Sequence, residues 1–422
     1  MTARISTTIY ILIMILTINA NVNSQSLDSI GSCVMPHAAW AVQVVGNYAY
    51  VADDSSGLQI VDLSDPASPA VVSSYDTPNR AIDICVSGQY AYIADFNSLQ
   101  IIDISNPLSP TLAGSHPTFR TIAVDVAGDY AYLAGEYTAP TVKIVNIADP
   151  SSPESTSAIS FSGGAFSLDY SNGYLAVLSN VTEPYSNYLR IIDVTDPQNP
   201  HISGSVRIPG EIEIPKDVKI SGDYAYIADG GNGLQIVNIS DPANPAVVGA
   251  YDSPGAAWGV TVNGSYAYLA EQNYGVEMIS VYDPTNPLFL AYAQTNFPIL
   301  NVFATEAYVF ATGSGWLEIL QPTFTGNVES PIHLPVAVSL TQNYPNPFNP
   351  STSIQYDLIN DSPVNISIYN LLGQKIETLV NKIQHAGHHQ IIWNAKDVSS
   401  GIYFYKINAG EYTETKKMVL LK

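Results

Sequence analysis

Tryptophans and carboxylates recur in this chain at corresponding points of a repeated pattern. Trp40 and Trp258 occupy equivalent positions, and Asp83 and Asp217 stand one step further along in two other repeats. Four more acids directly follow a repeated apolar run: Asp53, Asp95, Asp229 and Glu271. Aromatic faces beside carboxylates suit a sugar, and oxygen ligands suit a cation such as Ca²⁺. These residues predict a ligand-binding site; the alternative is that the tryptophans plug a channel and the acids cap turns.

The elements that must position these residues are short strands in a repeat. Successive copies of one tyrosine are separated by 42, 40, 44, 50 and 42 residues: Tyr48, Tyr90, Tyr130, Tyr174, Tyr224 and Tyr266. A period of this size indicates a repeat architecture. The second copy contains four strand-like runs, at residues 82–86, 90–94, 99–104 and 111–115. Four-stranded units of this length, repeated around an axis, form a β-propeller.

A seventh copy, at residues 299–320, contains only three strand-like runs. Residues 29–35 align with the fourth strand of the other copies, such as residues 71–77. Pairing the N-terminal run with the last copy would close the ring and remove exposed strand edges. The expected fold class is therefore all-β: a seven-bladed β-propeller with four-stranded blades, in which the N-terminal strand completes the last blade.

An Asp or Asn followed by Pro ends the third strand of each repeat. Asp and Asn cap their own turns, and Pro fixes φ and removes a hydrogen-bond donor. The sequence therefore predicts that the aspartates of these turns are structural: Asp65, Asp149, Asp196, Asp241 and Asp283.

The third strand of the repeat carries a recognisable motif. It reads Leu-Gln-Ile-Val-Asp at 58–62, Leu-Gln-Ile-Ile-Asp at 99–103 and Leu-Gln-Ile-Val-Asn at 234–238. This motif resembles the LVIVD-type repeat of secreted bacterial propellers, and the resemblance covers roughly residues 26–321. It implies the fold but no agreed activity, so it brings no catalytic residues.

The C-terminal part of the chain is a different kind of sequence. A Pro-containing polar linker at 322–335 follows the propeller at 25–321, and residues 336–422 contain about seven alternating strand-like runs. Such a segment predicts a small Ig-like β-sandwich.

Several motifs in residues 336–422 resemble the type A sorting domain of the type IX secretion system. They include Pro345, Asn346, Pro347, Phe348, Gly373, Gly401, Tyr403, Lys416 and Lys417. The resemblance implies the type IX secretion machinery as a partner. It also implies export through the periplasm of a Gram-negative bacterium to the outer cell surface or the medium. An ordinary Ig-like accessory domain is the alternative.

The N-terminus has the pattern of a signal peptide at residues 1–24. Arg4 precedes an apolar stretch at 9–18, and small residues precede a cut near Gln25. An anchoring transmembrane helix is the alternative, but the stretch is about half of the ~20 residues that a span needs. The sequence predicts no transmembrane helix in the mature chain.

The charge distribution excludes some partner classes. The formal net charge is −22, and residues 5–335 hold 7 basic and 31 acidic residues. This acidity argues against nucleic acid and against anionic membranes as partners. His385, His388 and His389 lack a well-spaced further ligand, so no metal site is predicted from them.

The function that these observations favour is binding. The connections after the second and fourth strands vary between repeats and emerge on one face, as expected for a scaffold that presents binding loops. The predicted ligand is a glycan, another extracellular polymer or a protein, with Ca²⁺ as a possible cofactor. The alternative is a propeller enzyme, a hydrolase or lyase acting on extracellular polysaccharide. A glycosidase needs two spaced carboxylates, and no motif here singles out such a pair, so no catalytic residue is predicted.

Overall fold

The computed structural model of this protein describes residues 24–325 apart from 136–140, 183–184, 211–214 and 296. It also describes residues 339–421 apart from 344, 359–361, 385–386, 397 and 411. Residues 1–23 of the predicted signal peptide, most of the predicted linker and His385 lie outside the described residues. Within the described ranges the regular elements are all β-strands.

Twenty-six strands occupy the described part of residues 24–325. In chain order they are β1 Ser24–Ala38, β2 Ala41–Val45, β3 Tyr48–Ala52, β4 Leu58–Asp62, β5 Ala70–Tyr75, β6 Asp83–Ser87, β7 Tyr90–Ala94, β8 Phe96–Asp103, β9 Thr111–Ala127, β10 Tyr130–Gly135, β11 Val142–Asn146, β12 Glu154–Ile159, β13 Ala165–Ser171, β14 Tyr174–Thr182, β15 Tyr185–Asp193, β16 His201–Ile208, β17 Asp217–Ser221, β18 Tyr224–Ala228, β19 Leu234–Asn238, β20 Ala246–Tyr251, β21 Ala257–Asn263, β22 Tyr266–Glu271, β23 Gly275–Ser280, β24 Leu288–Ala293, β25 Ile299–Ala304 and β26 Val309–Thr325.

Each repeat folds into an antiparallel sheet whose strands pair in chain order. Four sheets have the orders β2-β3-β4-β5, β13-β14-β15-β16, β17-β18-β19-β20 and β21-β22-β23-β24. Strands β6 to β12 form one seven-stranded sheet because β9 serves two units: residues 111–117 pair with β8, and residues 121–127 pair with β10. The chain is therefore all-β, and its repeated antiparallel sheets agree with a propeller-like architecture.

The two ends of this domain meet in one sheet. Residues 309–313 of β26 pair with β25, and residues 314–325 pair with β1. Ser29 lies opposite Leu320 and Val34 lies opposite Trp316, so the N-terminal run pairs with the last repeat. The pairing continues to Ser24 opposite Thr325, which carries these strands beyond the sequence-based domain boundary at residue 321.

The apolar core lies between neighbouring sheets. The middle strands are buried on both faces, as in β3 and β18, whereas β5 on the outer edge is largely exposed. One core cluster joins Leu58 and Ile60 of one sheet to Ile84, Ile93 and Ile102 of the next. Burial of both faces explains why the middle strands are unbroken apolar runs rather than alternating ones.

The first strands of the sheets surround a central channel. Strands β2, β6, β9, β13, β17, β21 and β25 contact one another in this order, and β25 in turn contacts β2. We call the end of the channel at which these first strands begin its upper mouth. The connections after the second and fourth strands lie at this end.

The aspartates of the Asp-Pro turns are bonded within their own turns. In each case Oδ1 accepts the backbone N–H two residues further on, at 3.0–3.1 Å: Asp65, Asp149, Asp196, Asp241 and Asp283. Their predicted structural role is confirmed.

The C-terminal domain is a sandwich of two antiparallel sheets in the described part of residues 339–421. Its strands are β27 Ser339–Leu340, β28 Ser351–Leu358, β29 Ser362–Asn370, β30 Lys375–Gln384, β31 Gly387–Asn394, β32 Gly401–Ala409 and β33 Tyr412–Leu420. The sheet orders are β27-β28-β31 and β30-β29-β32-β33. One core joins both sheets, with Ile354 and Trp393 on one side and Ile366, Tyr405 and Met418 on the other.

Glycines just before the third strands permit a close approach that no other residue would permit. Gly57 has φ of 65°, and a Cβ there would lie 2.3 Å from the Tyr75 carbonyl oxygen and 2.5 Å from the Thr77 nitrogen. Gly46, in the hairpin between β2 and β3, has φ of 59° with nothing within 4 Å of its Cβ position. The two positions share a backbone conformation and differ in packing.

We expect Gly57→Ala to destabilise the protein by at least ~2 kcal/mol more than Gly46→Ala. Both variants bear the cost of a left-handed alanine, about 1 kcal/mol, but only Gly57→Ala also forces backbone apart. Urea denaturation of the two variants and the wild type measures the difference. Equal losses would show that the close approach at Gly57 contributes nothing.

Candidate functional site

The upper mouth of the channel is lined by one residue of each first strand, or by the residue directly before that strand. These residues are Trp40, Ile82, Ile122, Phe166, Lys216, Trp258 and Leu300. They surround a cavity of about 380 Å³, which Arg80 and Phe96 also line. Of the sequence-predicted site residues, the structure brings Trp40, Trp258, Asp83 and Asp217 together here.

Asp83 and Asp217 hold neighbouring first strands together. Asp83 Oδ2 accepts the Val124 N–H of the next sheet at 2.8 Å, and its Oδ1 accepts the Ile84 N–H at 2.9 Å. Asp217 Oδ2 accepts the Val260 N–H at 3.1 Å. Its Oδ1 accepts the Val218 N–H at 2.9 Å. Each of these carboxylate oxygens therefore already accepts a backbone hydrogen bond, although both side chains also face the cavity.

A lysine lies below this level, at the centre of the channel. Lys219 Nζ donates to Asp169 Oδ1 at 3.0 Å, in a second cavity of about 260 Å³ that Asp83 and Asp125 also line. About 41% of the Lys219 side chain is accessible, because it faces the open channel. Burial alone would lower the pKa of Lys219, but the four carboxylates around it raise that pKa well above its usual range.

The channel carboxyl groups are harder to ionise than ordinary aspartates. Burial raises the pKa of Asp83 to about 7 and that of Asp125 to about 6, and it also raises the pKa of Asp217. Lys219 opposes this effect at all three aspartates. The lysine therefore stabilises a ring of carboxylates that would otherwise repel one another.

Both tryptophans of the mouth carry a cation over one ring. The Arg80 guanidinium lies 5.7 Å from the Trp40 ring centre, and Lys216 Nζ lies 5.1 Å from that of Trp258. Arg80 is also paired with both oxygens of Asp54, at 2.9 and 3.1 Å. These cation–π contacts place positive charge at the mouth of an otherwise acidic protein.

The other four predicted site residues do not line this cavity. Asp53, Asp95, Asp229 and Glu271 are fully buried at or just past the ends of the second strands. Asp53 accepts the His37 N–H at 3.1 Å, Asp95 that of Asn79 at 3.1 Å, and Glu271 that of Gly255 at 3.0 Å. In these three repeats the acid ties the preceding connection to the end of its own second strand, so it is not part of an exposed acidic rim.

Glu271 has a second carboxyl group as its neighbour. Glu277 stands where other repeats have Gln59 and Gln235, whose side-chain amides donate to loop carbonyls at 2.7 and 3.0 Å. If both acids were ionised, Oε1 of Glu271 and Oε2 of Glu277 would each be buried without a donor. Burial, followed by repulsion from Glu271, raises the pKa of Glu277 to about 8. A protonated Glu277 that donates to Glu271 resolves this conflict.

The described residues contain no cluster of three or more His, Cys, Asp and Glu side chains arranged to hold a metal ion. The acids past the second strands are separated from one another and bonded to backbone or to neighbouring side chains, so their geometry gives the Ca²⁺ expectation no support.

Sequence reasoning missed Arg80, Lys216 and Lys219 as site residues. The signal for Lys219 was present, because strand alternation puts it on the same side of β17 as Asp217. Arg80 and Lys216 lie in connections between strands, where the sequence does not predict which way a side chain points.

Residues of the predicted sorting motifs form hydrogen bonds with the C-terminal end of β33 and the residue after it. Asn346 Oδ1 accepts the Val419 N–H at 2.8 Å, and Phe348 exchanges backbone hydrogen bonds with Val419 and Leu421, at 3.0 Å each. The Phe348 and Tyr403 rings pack on Trp393, at 5.6 and 5.5 Å between ring centres. Pro345 and Pro347 flank Asn346, and Gly401 begins β32.

Other parts of the motif face solvent. Gly373, with φ of 75°, closes the turn after β29, in which Leu371 and Leu372 are 66% and 82% exposed. On β33, Lys416 pairs with Glu414 at 3.2 Å, and Lys417 is exposed. The motif residues thus fall into two groups. One group packs and forms hydrogen bonds inside the sandwich, and the other forms an exposed apolar and basic surface.

Two family models match the chain. The LVIVD repeat matches residues 37–77, 79–118, 120–158, 185–207, 215–253 and 254–295, together more than half of the chain. The secretion system C-terminal sorting domain matches residues 342–421. This domain indicates export through type IX secretion, to the medium or the cell surface. No helix of the described residues has the length and hydropathy that a membrane span requires.

One similar solved structure is the crystal structure of the computationally designed Ika8 protein, in its first crystal packing in P63. The TM-score is 0.51 at 7% sequence identity, and the match covers 69% of this chain and 99% of the designed one. At that identity the likeness concerns the fold alone. No curated protein matches the chain.

We expect Glu277→Gln to stabilise the protein increasingly as pH rises. The folded-state pKa of Glu277, about 8, lies above its ordinary value of 4.5. The stability that its protonated form provides is complete below about pH 4.5 and is lost as pH rises through about 8. Glutamine does not titrate, so its advantage should grow by on the order of 3 kcal/mol between pH 5 and pH 8.

Urea denaturation of the wild type and the variant at both pH values measures this change. The control is the converse variant Gln235→Glu, which places a second carboxyl group near Asp229 and should lose stability over the same range. A Glu277→Gln advantage that is the same at both pH values would contradict the shared-proton arrangement.

Proposed function

Because this chain belongs to the LVIVD repeat family and ends in a secretion system C-terminal sorting domain, we propose that it is an exported, non-catalytic binding protein. Its repeats form a seven-bladed propeller that binds an extracellular glycan at the upper mouth of the channel. The C-terminal domain, an Ig-like sandwich, is read by the type IX secretion machinery, which delivers the protein to the outer surface or the medium.

Seven blades are supported by the ring of first strands. The contacts among β2, β6, β9, β13, β17, β21 and β25 return to their starting point. Six of these strands lie at an edge of their sheet, and residues 121–127 of β9 begin the second unit of the seven-stranded sheet. The last of these sheets receives β1 as its outer strand.

The upper cavity is the observation that carries the binding site. Its volume of about 380 Å³ falls within the range of small-molecule sites, and aromatic and charged side chains line it together. Trp40, Phe166 and Trp258 offer apolar ring surface of the kind that contacts the face of a sugar. The connections that surround the mouth differ between repeats, as expected of a ligand-binding face.

Binding is favoured over catalysis by the hydrogen bonds of the cavity carboxylates. A glycosidase requires one carboxyl group that donates a proton and another that attacks or activates water. Both oxygens of Asp83 and both oxygens of Asp217 accept hydrogen bonds from backbone amides. These hydrogen bonds support a structural role for the two aspartates, which also give the cavity wall some polar surface.

Trp258→Ala should weaken binding of any glycan that the protein recognises by roughly tenfold or more, because it removes a stacking surface at the mouth. A glycan array with the purified chain identifies a ligand, and calorimetry on wild type and variant measures the change. The matched control is Trp316→Ala, since Trp316 is 37% exposed but does not line the cavity. An unchanged affinity in Trp258→Ala would exclude this site.

Removal of residues 336–422 should leave the protein in the periplasm, because the signal for outer-membrane passage resides in the segment that matches the sorting domain. Cell fractionation and immunoblotting of a strain that expresses the truncated chain measure its location. Full-length Trp258→Ala serves as the control and should be exported normally. Normal export of the truncated chain would refute the assignment of the sorting role.

A further inference from the structure

The basic residues of the propeller domain are concentrated at one end. Residues 24–325 contain seven Lys and Arg residues, all of them described, and three line the upper cavity: Arg80, Lys216 and Lys219. The described hairpins between first and second strands and the Asp-Pro turns, which form the opposite face, contain several acids and no Lys or Arg. The upper cavity therefore holds three of the seven basic residues of a strongly acidic domain.

The three cations of this cavity differ in how far they are neutralised. Arg80 is held by both oxygens of Asp54, and Lys219 is held by Asp169. The side-chain ammonium of Lys216, in contrast, forms no ion pair or hydrogen bond with the described residues, and the half-buried side chain lies over Trp258. An ammonium group on an aromatic face is positioned and partly desolvated, so it interacts strongly with an anion that reaches it.

The cavity also contains two carboxylates whose oxygens accept backbone hydrogen bonds. Asp83 and Asp217 direct their oxygens to backbone amides of β6, β9, β17 and β21. A negative group of a ligand that contacts the Trp258 ring would lie close to the Lys216 ammonium, because Nζ is 5.1 Å from the centre of that ring.

We propose that the ligand of the upper cavity is an acidic sugar, in which a carboxylate or sulfate group contacts Lys216 while the sugar ring contacts Trp258. This inference rests on the proposed glycan-binding function and specifies the charge of its ligand. A neutral sugar could contact the tryptophan but would offer the ammonium no anionic group.

The test compares trisaccharides that carry or lack an anionic group. The purified full-length chain is titrated by calorimetry with trigalacturonate, with its fully methyl-esterified form and with a sulfated galactose trisaccharide, at low and at physiological ionic strength. The variants are Lys216→Gln, Trp258→Ala and the control Lys143→Gln. Lys143 is another basic residue of the domain, on β11, and it does not line the cavity.

We expect an anionic trisaccharide to bind roughly tenfold or more tightly than the ester, with an affinity that falls as ionic strength rises. Lys216→Gln should remove this preference, and Lys143→Gln should retain it. Stronger binding of trigalacturonate than of the sulfated sugar would identify a uronate polymer as the source, and the reverse order would identify a sulfated one.

Three results would overturn the inference. If acid and ester bind equally and Trp258→Ala weakens both, the ligand is a neutral glycan, and only the charge assignment fails. If no probe binds in a way that depends on Trp258, the charge assignment fails together with the proposed site. Equal behaviour of Lys216→Gln and Lys143→Gln toward the acidic sugars would also refute the role of Lys216.

Discussion

The unpaired inner edge of each sheet is the constraint on which the rest of the propeller depends. A first strand has a ladder partner on one side only, so part of its backbone faces the channel and needs other hydrogen-bond partners. Side chains of the preceding sheet supply them. The acceptors of these backbone N–H groups are Gln43 for Val86, Asp83 for Val124, Asp125 for Tyr170, Asp169 for Ile220 and Asp217 for Val260. The same bonds satisfy the edges and join neighbouring sheets around the channel.

This solution determines the chemistry of the channel interior. Acidic acceptors are strong partners for backbone N–H groups, but four carboxylates around one channel repel one another and lose solvation. Lys219 compensates both effects, and the raised pKa values of Asp83 and Asp125 show that the compensation is incomplete. The interior is therefore polar for structural reasons. Lys216 and Trp258 supply none of these side-chain acceptors and lie at the mouth of the channel.

Much of the architecture could be predicted from the sequence because it depends on local rules. The tyrosine period located the strands, the Asp-Pro turns ended them, and the buried middle strands gave unbroken apolar runs. The pairing of residues 29–35 with the last repeat followed from one missing strand. The site was harder to predict from the sequence. The contact of Asp83 with Val124 and the burial of Glu271 depend on residues that are distant in the chain. The sequence identifies a carboxylate but does not show whether its oxygens already accept hydrogen bonds from backbone amides.

The residues that hold the ring together differ from the residues that line the mouth. This difference explains why the fold could be recognised from the sequence and a ligand could not. Asp53 accepts the His37 N–H and Asp95 accepts the Asn79 N–H, so the end of each of these second strands holds the chain that precedes the first strand of its repeat. The other residues of these upper connections can therefore change without loss of the ring. The mouth position demonstrates this freedom, because it holds Trp, Ile, Phe, Lys and Leu in different repeats of one chain. A position that tolerates five residue types contributes little to stability. The seven residues at this position are two tryptophans, one phenylalanine, one lysine and three aliphatic side chains, so closure of the ring does not determine which type stands there.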